Sequence, residues 1–158
     1  MIQSDDSIMR EALAQAREAY DQGEIPIGCV LVQDGEVIAR AHNLRESLSD
    51  PTAHAEMLVL REASQKLGRW RLTGATLYVT MEPCSMCAGA LVLARISRLV
   101  YGCADPKAGA CGSVMDIVRE PRLNHRIEVI SGVLEQDCRD IIRSFFETQR
   151  ESVISKKN

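Results

Sequence analysis

The chain has 158 residues, of which 46% are hydrophobic and 26% charged, and its formal net charge is −3. These values are typical of one globular domain, so we treat residues 1–158 as a single domain with a disordered tail over about 151–158. The chain contains no apolar run of membrane-spanning length and no secretory signal pattern, and we expect a cytoplasmic protein. The net charge excludes general attraction to a polyanion, so any nucleic-acid contact must be local.

The hydrophobic pattern predicts a helix, a hairpin and then alternating helices and strands. Apolar residues at helical spacing predict a first helix over 5–21, and two apolar runs flanking Asp34-Gly35 predict a β-hairpin over 27–41. The later predicted elements are helices over 53–66, 84–95, 114–119 and about 134–150, and strands over 75–80, 96–102 and 127–131. This order favours an α/β fold, a three-layer α/β/α single domain with a central mixed β-sheet.

Two short motifs indicate a metal centre: His54-Ala55-Glu56 and Pro83-Cys84-Ser85-Met86-Cys87. One imidazole and two thiolates are the ligand set of a catalytic zinc that keeps its fourth position for water. Cys84 and Cys87 would share one face of a helix, and His54 can join them if its motif lies where the chain enters a helix. Glu56 is a poor ligand in this company but a good proton carrier, so we predict one Zn²⁺ per chain and a catalytic Glu56.

The other four cysteines do not suggest a disulfide framework. A chain of this length without a secretory signal does not need covalent cross-links. We therefore expect these residues to be small buried hydrophobes: Cys29, Cys103, Cys111 and Cys138.

The two motifs match the pattern H-x-E…P-C-x-x-C, and the chain thereby resembles the zinc-dependent cytidine-deaminase-like superfamily. Longer stretches, among them DPTAHAE, ATLYVTMEPCSMCAGA and DPKAGACGSVMDI, resemble the TadA family of bacterial tRNA-specific adenosine deaminases over about residues 8–150. This resemblance implies a homodimeric hydrolase that converts adenosine to inosine at the wobble position of a tRNA anticodon. Glu56 would carry a proton from the attacking water to the ring nitrogen and later protonate the leaving ammonia.

The resemblance also implies a set of substrate contacts. Asn43 would hydrogen-bond the flipped nucleotide, Lys107 would contact a phosphate, and Asp105 would contact the sugar or a flanking nucleotide. Phe146 and Arg150 would meet the anticodon loop by stacking and by phosphate pairing. The complete predicted set is Asn43, Ala55, Pro83, Asp105, Lys107, Asn124, His125, Phe146 and Arg150.

Two other functions remain open at this point. A free nucleobase or nucleoside deaminase, acting on guanine, cytosine or cytidine, would share every metal ligand, so the zinc motif cannot distinguish it. Residues 105–117 and the C-terminal helix favour the tRNA enzyme, and higher activity on free adenosine or cytosine than on an anticodon stem-loop would reverse this choice. A non-catalytic zinc module that binds RNA or has a structural role would have no use for a carboxylate beside the metal, and Glu56 argues against it.

Overall fold

A computed structural model describes residues 3–157 of the chain. Over that range the helices are α1 (Asp5–Asp21), α2 (Ala55–Leu67), α3 (Ser85–Leu93) and α4 (Glu135–Lys157). The strands are β1 (Gly28–Gln33), β2 (Glu36–His42), β3 (Thr76–Met81), β4 (Arg98–Cys103) and β5 (Glu128–Ser131). Most of these elements lie within a few residues of their predicted bounds.

The five strands form one mixed sheet in the order β2-β1-β3-β4-β5. Strand β1 runs antiparallel to β2 and β3, whereas β4 runs parallel to β3 and β5. The hairpin turn between β1 and β2 has positive φ at both central residues, 52° at Asp34 and 77° at Gly35. A two-residue turn of this kind matches the twist of the flanking strands, which explains why Asp-Gly closes the hairpin.

Helices cover both faces of the sheet because the buried strands carry apolar side chains on both faces. In β3, Leu77 and Val79 belong to the core that α2 and α3 cover, whereas Tyr78 belongs to the core that α1 and α4 cover. Successive side chains of a strand point to opposite faces, so one strand contributes to both cores. The predicted three-layer α/β/α domain with a mixed sheet is confirmed.

Two predicted elements are wrong. Residues 114–119 are irregular rather than helical, with an isolated β-bridge between Cys111 and Asp116. Their amides bond across the loop, as in Ile117 N–H to the Ala110 carbonyl at 2.8 Å. Helix α4 does not end near residue 150 but continues to Lys157. No glycine or proline interrupts it, so residues 151–157 of the predicted tail are helical, and Asn158 lies outside the described residues.

A polar cluster fixes the first turn of α1 to the sheet near the start of β4. The guanidinium of Arg98 donates to both carboxylate oxygens of Asp5, at 3.0 and 2.6 Å, and the Tyr78 hydroxyl donates to Asp5 at 2.7 Å. The bond from Arg98 holds the pKa of Asp5 below its ordinary value. This cluster therefore stabilises the sheet at the end away from the two motifs.

The cysteines outside the motifs are all buried and unpaired, as predicted. In the described part of the chain, no helix has the length and apolar character to cross a membrane.

Candidate active site

Both motifs lie where the chain enters a helix. His54 is the N-cap of α2, with φ −78° and ψ 150°, and Cys84 is the N-cap of α3, with φ −75° and ψ 178°. An N-cap side chain commonly accepts a bond from the first helical turn, but within residues 3–157 neither His54 nor Cys84 does so. Both side chains are therefore available to a common site at the carboxyl end of β3, as expected for an α/β sheet.

The three predicted ligands lie close together. The Nδ1 atom of His54 is 3.7 Å from Cys84 Sγ and 3.5 Å from Cys87 Sγ, and all three ligand atoms lie within 4.8 Å of one another. With Zn–S of about 2.3 Å and Zn–N of about 2.1 Å, tetrahedral coordination separates sulfur from nitrogen by about 3.6 Å. The donor set and its spacing therefore fit a metal ion, and zinc suits them well.

The three side chains of this cluster differ in how strongly they hold their protons. A hydrogen bond from Cys87, together with one from His54, lowers the pKa of Cys84 to about 3. The same bond raises the pKa of Cys87, and the bond to Cys84 raises the pKa of His54. Cys84 is therefore the thiol of the pair that gives up its proton more readily, and metal binding has to displace the proton of Cys87.

Glu56 lies in the first turn of α2 and is only 4% exposed. Burial raises the pKa of this carboxyl, and the negative charge of Cys84 adds to that effect. A carboxylate with a raised pKa is a better proton acceptor than a free one, and it remains acidic enough to return that proton to a more basic group. The position and environment of Glu56 therefore suit a proton carrier.

A cavity of about 340 Å³ opens above the cluster, within the usual range for small-ligand sites. It brings together most of the residues predicted to act in one site: Asn43, His54, Ala55, Glu56, Cys84, Asp105, Lys107 and Phe146. Asn43 is 4% exposed, and its Oδ1 accepts the amide of Arg45 at 3.2 Å. The side-chain amide of Asn43 is thereby held in a fixed position at the wall of the cavity.

Four predicted contact residues do not line the cavity. Pro83 is buried, and its carbonyl accepts the Ala110 amide at 2.8 Å. Arg150 lines an adjoining groove that shares Lys107 and Phe146 with the cavity. Asn124 and His125 line neither the cavity nor the adjoining groove. The ring of His125 donates to the Ile96 carbonyl at 2.7 Å. Ile96 lies just before the start of β4, which is the end of that strand away from the cavity.

Sequence reasoning missed several lining residues. Arg45 and Glu82 are charged, and Ile25, Ile27, Met81 and Ile142 form apolar walls. Glu82 could have been found, since a carboxylate between a buried strand and Pro83-Cys84 is out of place unless it has partners. Burial favours a raised pKa for Glu82, but bonds from Ser113 and three backbone amides outweigh it and lower the pKa.

Comparisons with known proteins agree with this site. The MafB19-like deaminase family matches residues 3–150. A tRNA-specific adenosine deaminase of Bacillus subtilis is 53% identical over 155 residues, covering 98% of this chain and 96% of that protein. A protein of the same name from Agrobacterium fabrum is 50% identical over 142 residues, covering 90% of this chain and 93% of that one.

Solved structures show the same fold. A chain from studies of A-to-I editing by tRNA:A34 deaminases at the wobble position superposes with a TM-score of 0.82 at 50% identity, covering 84% of this chain and 96% of that one. A guanine deaminase from Nitrosomonas europaea superposes with a TM-score of 0.77 at 22% identity, covering 92% of this chain and 86% of that one, which shows a shared fold alone.

The three-layer fold, the His-Cys-Cys group and the buried glutamate beside it define a deaminase of the cytidine-deaminase-like class. Within that class, the chain belongs to the family of tRNA-specific adenosine deaminases.

Proposed function

We propose that the protein is a zinc-dependent hydrolase that converts adenosine to inosine at the wobble position of a tRNA anticodon. The observation that carries this proposal is a buried Glu56 beside a His-Cys-Cys group, in a cavity whose lining includes two cations. The names of the relatives at 47–53% identity support the same substrate class.

In this proposal His54, Cys84 and Cys87 hold one zinc ion per chain. When bound, zinc lowers the pKa of water from about 16 to about 7 and so supplies hydroxide at neutral pH. Glu56 takes the proton of the attacking water and delivers it to the ring nitrogen beside the attacked carbon. It then takes the second proton of the added water, now on the hydroxyl of the attacked carbon, and passes it to the departing amino group, so that adenosine and water become inosine and ammonia.

The rest of the cavity orients the base. The fixed amide of Asn43 hydrogen-bonds the flipped nucleotide, and the apolar walls from Ile25 and Ile27 exclude bulk water. Holding the reacting carbon over the site converts an encounter into an oriented reaction, which contributes much of the acceleration in such enzymes.

Groups at the cavity also suit a polynucleotide. Arg45 and Lys107 both line it, and among residues 3–157 neither side chain has an ion-pair partner. Phe146 is 43% exposed, and the adjoining groove carries Arg150. These groups can pair a few phosphates and stack one splayed base, so affinity for RNA should fall only gently with salt.

Inosine formation tests the proposal. Zinc-loaded protein is incubated with an anticodon stem-loop carrying adenosine at the wobble position, and the digested RNA is analysed by mass spectrometry. We expect inosine at that position, with kcat/KM at least about 10³ above that for free adenosine, because the RNA contacts contribute to transition-state binding. A stem-loop with its only loop adenosine elsewhere is the control. Equal or faster turnover of free guanine, cytosine, cytidine or adenosine would assign the protein to the free-base deaminases.

We further propose that the protein is a homodimer in which α3 faces its partner. Helix α3 is apolar around its whole circumference, which is typical of a covered helix, yet Leu93 is 75% exposed. Leu99 and Val100, which follow α3 in the sequence, are fully buried in the sheet and cannot extend this surface. Light scattering should give twice the chain mass for the wild type and for Ile154→Glu on α4. It should give one chain mass for Leu93→Glu, and a dimeric Leu93→Glu would contradict this interface.

The proposal also places the enzyme in the cytoplasm. Six unpaired cysteines, two of them metal ligands, suit a reducing compartment. Recovery of the protein in a membrane or secreted fraction of its own cells would contradict this placement.

A further inference from the structure

One buried carboxylate at the cavity has no role in the chemistry described above. Glu82 is 3% exposed and lies between the end of β3 and Cys84. Its Oε1 accepts the Asp105 amide at 3.0 Å and the hydroxyl of Ser113, and its Oε2 accepts the amides of Cys111 and Ser113 at 3.0 and 3.1 Å. All four bonds come from one segment, residues 105–113, which we call the rim loop.

The rim loop passes closely over this carboxylate. A Cβ atom at Gly109 would overlap the carboxylate of Glu82, so only glycine fits there. Backbone bonds add to this: the Ala110 amide of the rim loop donates to the Pro83 carbonyl, and the Glu82 amide donates to the carbonyl of Cys103 at the end of β4, each at 2.8 Å. The loop thus has one defined path across the end of β3.

Hydrogen bonds also connect Glu82 to other residues that line the cavity. Asp105, whose amide is held by Glu82, uses its own Oδ1 to accept the amides of Lys107 and Ala108, at 3.0 and 3.2 Å. Asp105, Lys107 and Ala108 all line the cavity. A continuous series of hydrogen bonds therefore leads from Glu82, beside Pro83-Cys84, through Asp105 to Lys107 at the cavity wall.

We propose that Glu82 is a positioning residue that fixes the rim loop so that Lys107 can contact the RNA substrate. The placement of the loop stands on the hydrogen bonds, whereas the contact with RNA rests on the proposed function. Glutamine at position 82 would retain one carbonyl acceptor and turn an NH₂ group toward amides that also donate. Glu82→Gln should therefore release the loop without removing any metal ligand.

Amide hydrogen exchange of the zinc-loaded protein tests the placement without any substrate. In Glu82→Gln and in Gly109→Ala, the amides of Asp105, Cys111 and Ser113 should exchange at least about ten times faster than in the wild type. Asp5→Asn is the matched control, because it also turns an acid into an amide within a bonded cluster, but at the other end of the sheet. Unchanged exchange at these three amides in both site variants, or equal acceleration in Asp5→Asn, would overturn the proposal.

A double-mutant cycle tests the consequence for RNA. Lys107→Ala should raise KM for the stem-loop about tenfold in the wild type, but less than about twofold when Glu82 is already glutamine. Glu82→Gln alone should raise KM about tenfold while zinc content stays at one per chain and kcat stays within about threefold. In the Asp5→Asn background the Lys107→Ala effect should remain about tenfold.

The two proposals fail separately. Additive effects of Glu82→Gln and Lys107→Ala would show that Glu82 does not act through Lys107, and this inference would fall. Absence of inosine with the wild type would instead contradict the proposed function, while the exchange result would still decide whether Glu82 holds the rim loop. Should Glu82→Gln fail to fold, Gly109→Ala in the same cycle gives the same decision.

Discussion

Glu56→Gln is expected to lower the rate of inosine formation by at least about 10³, with zinc content and stem-loop affinity near those of the wild type. A single general acid/base typically contributes roughly 10²–10⁴ in rate, and in the proposed mechanism Glu56 performs more than one proton transfer. Glutamine has nearly the same shape as glutamate, so the metal ligands stay in place. It cannot carry the proton, however, because its side chain has no ionisable group. The rate is measured in single turnovers with saturating enzyme, and zinc by elemental analysis.

The matched control is Glu62→Gln on the same helix, where Glu62 forms an exposed pair with Lys66. Its rate should stay within about twofold of the wild type, because exposed pairs of this kind contribute little. If Glu56→Gln retained activity within tenfold of the wild type, Glu56 would not be the proton carrier.

Cys87→Ala is expected to lose nearly all bound zinc and to reduce deamination to background. The substitution leaves two ligands, His54 and Cys84, and a two-ligand site cannot retain the ion against a chelator. The variant should also lose the stabilisation that zinc gives, so a chelator should lower the unfolding temperature of the wild type but not that of Cys87→Ala. Zinc analysis and thermal unfolding with and without chelator check both expectations.

Cys138→Ala is the control for Cys87→Ala, since Cys138 is a buried, unpaired cysteine on the other face of the sheet. It should keep one zinc per chain and near-normal activity, with only the small stability loss of a shortened core side chain. Full zinc occupancy in Cys87→Ala would show that the ligand set is wrong.

The features that the sequence determined by itself are those encoded over a few neighbouring residues. A continuous run of apolar residues specifies a strand with two buried faces, and Asp34-Gly35 specifies the hairpin, because both depend on local backbone geometry. The two metal motifs belong to the same group. Their spacing, together with their place at the start of helices, was enough to predict that His54, Cys84 and Cys87 lie together, and their donor atoms lie within 4.8 Å of one another.

Tertiary structure decided what depends on partners far along the chain. Glu82 accepts hydrogen bonds from residues 23 to 31 positions later in the chain, and no local sequence pattern predicts these bonds. Those bonds hold residues 105–113 in an irregular path, and the cross-loop bonds that follow replace the helix expected over 114–119. His125 likewise lies beside Ile96, 29 positions earlier, and away from the cavity.

The physical reason is that the backbone conformation of a residue depends mainly on its neighbours in the sequence. A buried polar group, in contrast, is stabilised by hydrogen-bond partners that the fold brings to it from distant parts of the chain. The sequence therefore determined the strands, the hairpin and the donor groups of the two motifs. Only the folded chain could decide which loop reaches the cavity, which carboxylate holds that loop, and which predicted contacts lie elsewhere.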